Sequence, residues 1–215
     1  MKFYILDCLL PAPRTDHSGP RVRFRGKHMT DMKKRLARLL VEKSYLEGDF
    51  TLTSGQKSDY YFDCKHTALH PEGSWLLGRL FLDMIREQGG IQGVGGMTLG
   101  ADPLVSAVTV VSHLEGYPLP GFIIRKAPKG HGTNQYLEGL NNFAPGQSVC
   151  LLEDVITTGG TLLKAVERVR EQNLNIVAVL GVLDREQGGR ENLAGAGFKL
   201  RTIFTRRELL ETARG

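Results

Sequence analysis

The sequence predicts an α/β fold: a mostly parallel sheet flanked by helices, with a small N-terminal hood. Three observations carry this prediction. From about residue 72 onward, apolar runs of strand length alternate with segments of helical period, the pattern that builds βαβ units. The runs Ser148-Val149-Cys150-Leu151-Leu152 and Ile176 to Leu183 are apolar on both faces, as in parallel strands covered on both sides. The 26 glycines fall between such runs rather than in a low-complexity tract, so they mark turns and close approaches of backbone.

Residues 1–28 lack sustained periodicity and contain Pro11, Pro13 and Pro20; a poorly ordered basic arm is expected there. Residues 29–215 are expected to form one domain, with hood elements over about 29–70. Met32, Leu36, Leu39 and Leu40 recur at i, i+4, i+7 and i+8, which predicts the first helix. Residues 49–52 and 60–62 read as short strands around a polar turn. A helix over 72–88 would bury Leu77, Leu80, Phe81, Met84 and Ile85 and end at Gly89-Gly90. Ile91 to Val94 is a strand. Asp102 is expected to cap the next helix, with Pro103 at its first position and Leu104, Val108, Val111 and Leu114 on its buried stripe. Gly121 to Ile124 is a strand, and the polar, glycine-bearing stretch 126–146 is a candidate lid. After the strand at 148–152 come a helix over 161–172, a strand at 176–183, a short helix at 188–194, a strand at 198–204 and a helix at 206–213.

The chain carries a net charge of +5 and a pI near 9.2, which favours anionic partners without choosing between nucleic acid and a phosphate-rich small molecule. Part of the excess lies in the first 28 residues, where Arg14, Arg21, Arg23, Arg25 and Lys27 face Asp7 and Asp16. Cys8, Cys64 and Cys150 are widely spaced, with no CxxC, so reduced thiols in a cytoplasmic protein are expected rather than a zinc knuckle or redox pair. No apolar run approaches the roughly 18 residues of a membrane span. The N-terminal apolar run is broken by Asp7 and no small-residue cleavage site follows; a secretory leader is not expected, and Met29 or Met32 are alternative starts. His17, His28, His66, His70 and His113 show no metal-ligand spacing.

Ligands of open α/β sheets bind beyond the carboxyl ends of the strands. The segment that follows Leu151-Leu152 is Glu153-Asp154-Val155-Ile156-Thr157-Thr158-Gly159-Gly160-Thr161, and it opens into a helix. Its glycines allow a sharp turn, and the free N–H groups of the turn and helix start suit a phosphate monoester. Thr157, Thr158 and Thr161 add hydroxyl donors. Glu153 and Asp154 repel phosphate and suit sugar hydroxyls or a hydrated Mg²⁺. The segment therefore describes a sugar phosphate. It is not a Walker A loop, since no lysine follows Gly160, and no GxGxxG occurs in the chain.

Glu153 to Thr161, preceded by apolar residues, resembles the phosphoribosyl-diphosphate (PRPP) motif of type I phosphoribosyltransferases. Further stretches resemble orotate phosphoribosyltransferases in particular: Phe50-Thr51-Leu52 with Ser54 to Asp63; Gly96 to Pro103; Arg125 to Gly132, like that family's mobile catalytic loop; and Asp184-Arg185-Glu186, like its base-binding segment. The resemblance spans about residues 33–210. Thr53 stands where some members carry lysine, and Thr98-Leu99 where some carry a Tyr-Lys pair, so no PRPP contact is carried over to Thr53 or Leu99.

The resemblance implies transfer of ribose 5-phosphate from PRPP to N1 of orotate, in de novo synthesis of uridine monophosphate. It implies PRPP contacts from Arg125, Lys126, Lys129, His131 and the whole of Glu153, Asp154, Val155, Ile156, Thr157, Thr158, Gly159, Gly160 and Thr161. Lys129 and His131 are the implied catalytic pair, stabilising pyrophosphate as a lid closes. Thr157, Arg185, Tyr61 and Phe62 are implied at orotate, Arg185 gripping its carboxylate in a two-pronged bond. Mg²⁺ is the implied cofactor, held through PRPP and water near Glu153 and Asp154 rather than by direct ligation. A homodimer is implied, with lid residues acting in the neighbouring subunit's site. Nucleic acid and membrane partners are not expected. Two rival readings are another base phosphoribosyltransferase, which would have no use for Arg185 against a carboxylate, and a PRPP-sensing regulator that binds nucleic acid, which would have no use for Lys129 and His131.

Overall fold

Helix α1 (Gly26–Ser44) forms because one stripe of it is apolar: Met32, Leu36 and Leu40 are fully buried, each worth about 2 kcal/mol of transfer free energy. The structure, a computed structural model, describes residues 26–51, 57–128 and 136–215, with side chains from residue 29 onward. Most of the expected arm, and the stretch 52–56, lie outside the described residues. After α1 come β1 (Tyr45–Thr51) and β2 (Lys57–Phe62), an antiparallel ribbon separate from the main sheet. A one-turn helix α2 (Lys65–Ala68), too short to leave a periodic signal, leads into α3 (Pro71–Gln88).

The main sheet has six strands in the order β5-β4-β3-β6-β7-β8. They are β3 (Gly93–Met97), β4 (Gly121–Ile124), β5 (Leu137–Glu138), β6 (Ser148–Ile156), β7 (Asn175–Asp184) and β8 (Leu200–Thr205). All pairings are parallel except β4 with β5. The helices between them are α4 (Asp102–Leu114), α5 (Gly160–Arg170), α6 (Gly189–Gly195) and, last, α7 (Arg206–Arg214). One apolar cluster joins α1, α3, α4 and Leu209 of α7 to Cys150 and Leu152; another joins α5 and Leu193 of α6 to Val149 and Leu151. Successive residues of β6 thus enter opposite layers, which is why that strand is apolar on both faces.

Three expectations need correction. The strand expected at 91–94 lies at Gly93–Met97, because its glycines weaken a strand signal that packing supplies instead. Ala101, not Asp102, takes the N-cap position of α4; the Asp102 carboxylate accepts a hydrogen bond from Thr98 Oγ1 at 2.7 Å and so fastens the loop after β3. The polar stretch 126–146 is not all loop, since β5 pairs with β4, a 3₁₀ turn spans Leu140–Asn142, and Phe143 meets Phe122 edge-on at 5.4 Å.

Gly96 shows why β3 is glycine-rich. A Cβ there would lie 2.5 Å from the carbonyl oxygen of Leu152 on β6 and would also strike Ala101, and backbone at the sheet centre cannot retreat. Gly96→Ala is expected to lower stability by about 2–3 kcal/mol, seen as a lower urea midpoint at unchanged m-value; an unaltered midpoint would sink this account of the strand.

Candidate active site

The strands β3, β6 and β7 are neighbours and run parallel, so their carboxyl ends emerge side by side. Ile156 at the end of β6 pairs with Asp184 at the end of β7, and the N–H of Arg185 donates to the Ile156 carbonyl at 2.9 Å. That register sets the glycine-threonine loop beside Arg185, although about 30 residues separate them in sequence. Gly159 occupies the left-handed region at φ 78°, where a side chain is strained. Thr158, Gly160 and Thr161 are exposed, and no side chain caps the start of α5, leaving its first N–H groups available to a ligand. From behind, Asn192 Nδ2 donates to the Thr158 carbonyl at 3.0 Å, and Gly189 fits against the Thr157 backbone.

Glu153 and Asp154 differ in surroundings. Glu153 is buried and its Oε2 has no partner. Burial, with the Asp154 carboxylate beside it, pushes its pKa well above the ordinary 4.5, while Lys126 acts in the opposite direction. Asp154 accepts from the Val155 N–H at 2.8 Å and lies against Gly100 in the loop after β3. Among the described residues no group of three or more His, Cys, Asp and Glu side chains gathers as for a metal. Two adjacent carboxylates, one with an orphaned oxygen, suit a hydrated cation carried mainly by another ligand.

Arg185 is buried, with Nη2 donating to Ser58 Oγ at 3.0 Å and its guanidinium carbon 4.4 Å from the Tyr60 ring centre. Its Nε is buried without a partner, as is Tyr60 Oη. Behind it, the buried Asp184 carboxylate accepts from the Glu186 N–H (2.8 Å) and from Arg190 Nη2 (3.0 Å), which holds Glu186 at φ 58° and aims Arg185 off the strand end. Tyr61 and Phe62 leave β2 on opposite faces: Tyr61 is exposed beside Phe50, and Phe62 is in the core with Tyr60. The face that meets Arg185 carries Ser58 and Tyr60, an i, i+2 pair that strand alternation could have identified from the sequence.

Arg125 pairs with Glu138 at 3.2 Å, and Lys126 is exposed next to it. Arg168 on α5 donates to the carbonyls of Arg125 (2.6 Å) and Lys126 (3.3 Å) and covers the Tyr136 ring at 4.2 Å. It thus ties both ends of the stretch 127–135 to the helix behind the glycine loop, and no sequence signal pointed to it. Lys129 and His131 lie outside the described residues. Cys64 and Cys150 are free and fully buried, and burial pushes both thiols up. No helix among the described residues is long and apolar enough to cross a membrane.

No family model matches the chain. It is 45% identical over 177 residues to an orotate phosphoribosyltransferase of Nostoc sp., covering 82% of this chain and 84% of that protein. It is 47% identical over 176 residues to an orotate phosphoribosyltransferase of Thermosynechococcus vestitus, covering 82% and 92%. Among solved structures, the Mycobacterium tuberculosis H37Rv orotate phosphoribosyltransferase in complex with PRPP is similar with a TM-score of 0.69 and 32% identity, covering 83% of this chain and 98% of that one.

The burial of Glu153 generates a prediction with a defined sign. Its folded pKa lies above the unfolded value, so the folded chain holds the proton longer; stability present below the ordinary 4.5 is lost as pH rises through the window above it. Glu153→Gln, which cannot ionise, is expected to gain on the parent chain in thermal midpoint as pH rises from about 4 to 8. A difference in midpoint that stays constant with pH would show that Glu153 ionises freely.

Proposed function

The chain belongs to the orotate phosphoribosyltransferase family, and we propose that the residues gathered at the ends of β3, β6 and β7 carry out that family's reaction here. The reaction is the transfer of ribose 5-phosphate from PRPP to N1 of orotate, giving orotidine 5′-monophosphate and pyrophosphate, a step of pyrimidine biosynthesis. One observation supports the assignment of residues above the others: a buried arginine with an unpartnered Nε, Arg185, stands in register beside a phosphate-shaped loop. A planar acid and a sugar phosphate would meet there.

The N–H groups of Thr157 to Thr161 and the threonine hydroxyls hold the 5-phosphate. Glu153 and Asp154 accept from the ribose hydroxyls. Mg²⁺ is the proposed cofactor, carried by PRPP through water near these two carboxylates, where it would offset pyrophosphate charge. Arg185 grips the orotate carboxylate, and Thr157 lies next to the base. As the C1–O bond breaks and N1 bonds to C1, N1 gives up its proton to the leaving pyrophosphate, on which negative charge collects. Arg125, Lys126, Lys129 and His131 stabilise it, and a closed lid keeps water from C1.

We also propose a cytoplasmic homodimer in which Lys129 and His131 serve the partner's site. Leu99, Val110 and Leu114 are large, apolar and exposed around α4, as subunit contacts are.

Orotate consumption followed by ultraviolet absorbance should require both PRPP and Mg²⁺, and Lys129→Ala should lower kcat roughly a hundredfold. Folded protein that binds PRPP but consumes no orotate would leave the choice of base wrong. Mixing inactive Lys129→Ala and Arg185→Ala subunits tests the dimer. Random re-pairing restores about a quarter of the parent activity if the lid acts in trans, because half the dimers then hold one intact site. Mixtures that stay inactive would place the lid in its own subunit's site.

A further inference from the structure

Arg185 does not hold its own position. Its partners, Ser58 and Tyr60, belong to β2, and the β1-β2 ribbon shares no ladder with the main sheet. The placement of the guanidinium therefore depends on what fastens the ribbon. Arg206, the first residue of α7, does this. Its Nη2 donates to Asp59 Oδ2 at 2.8 Å and to Tyr45 Oη at 3.0 Å, and its Nε approaches Tyr45 Oη at 3.3 Å. Its guanidinium carbon lies 4.0 Å from the Tyr60 ring centre, and Tyr45 stacks on Tyr60 at 5.1 Å. One planar fork thus touches both ribbon strands, Tyr45 on β1 and Asp59 and Tyr60 on β2. Asp59 balances its charge, so two arginines can share the Tyr60 ring.

We propose that Arg206 is a positioning residue for orotate: it sets the ribbon, through Tyr60, so that Arg185 keeps its Nε turned toward the orotate carboxylate. This rests on the assignment of Arg185 to that carboxylate. Arg206 itself touches no substrate. Lysine cannot replace it fully, because an ammonium lacks the planar fork that reaches Asp59 and Tyr45 together.

Steady-state kinetics on the intact chain test this. Arg206→Met should raise the orotate KM about tenfold with kcat and the PRPP KM within about twofold, since only base recognition is disturbed. Arg206→Lys should recover part of the loss. Asp59→Asn, at an exposed site that does not threaten folding, should raise the orotate KM in the same direction by less. Added to Arg185→Ala, Arg206→Met should cause no further rise, because the two act through one contact. An unchanged orotate KM in Arg206→Met, beside an Arg185→Ala variant that has lost orotate, would overturn the proposal alone. A fall in thermal midpoint together with a comparable rise in both KM values would make Arg206 merely structural and overturn it too. If Arg185→Ala leaves the orotate KM unchanged, the base-site reading falls first and this inference with it.

Discussion

Because β6 pairs in parallel with β3 on one side and β7 on the other, three strand ends and the loops that follow them share one edge of the sheet. Every polar feature of the site inherits its place from that register. Gly96 allows β3 to lie flush against β6, and the Ile156–Asp184 pairing sets the height of Arg185 relative to the glycine-threonine loop. A slip of two residues between β6 and β7 would move Arg185 by about 7 Å along the strand, out of reach of any ligand seated on α5. The β6-β7 ladder runs from Ser148–Asn175 to Ile156–Asp184 with one irregularity between Val149 and Cys150.

The cost of the site is visible in its unmet polar atoms. Glu153 Oε2, Arg185 Nε and Tyr60 Oη are buried without partners, and such groups weaken a fold unless a ligand completes them. They lie on Glu153 of β6, on Arg185 just after β7 and on Tyr60 of the ribbon beside it. Asp184, with its carboxylate oxygens taken up by the Glu186 N–H and Arg190, shapes the loop behind Arg185, whereas Asp102 accepts from Thr98 through one oxygen and keeps Oδ1 without a partner.

The two arginines that frame the site from behind act at different edges. Arg168 gathers the ends of the stretch that contains Lys129 and His131, and Arg206 gathers the ribbon that presents Ser58 and Tyr60. Each uses the planar guanidinium to meet several acceptors and an aromatic face at once. The two arginines thus fasten separate units, the stretch after β4 and the β1-β2 ribbon.

The sequence by itself determined the fold class, through alternating periodicities and two-sided apolar strands, and it determined the phosphate-shaped loop, because glycines, threonines and paired acids stand in consecutive positions. It also singled out Arg185, through a motif of neighbouring residues. Only the tertiary structure decided the rest. The glycine strand Gly93–Met97 is held by its neighbours and not by propensity. Asp102 turned from an expected cap into a loop fastener because Thr98 came within reach. Tyr60, rather than the Tyr61-Phe62 pair, meets Arg185, since only the strand's placement chose which face looks inward. Arg206 and Arg168 reach residues 147 and 43 positions away, and contacts that span such distances leave no local pattern to read, because chain folding alone brings their partners together.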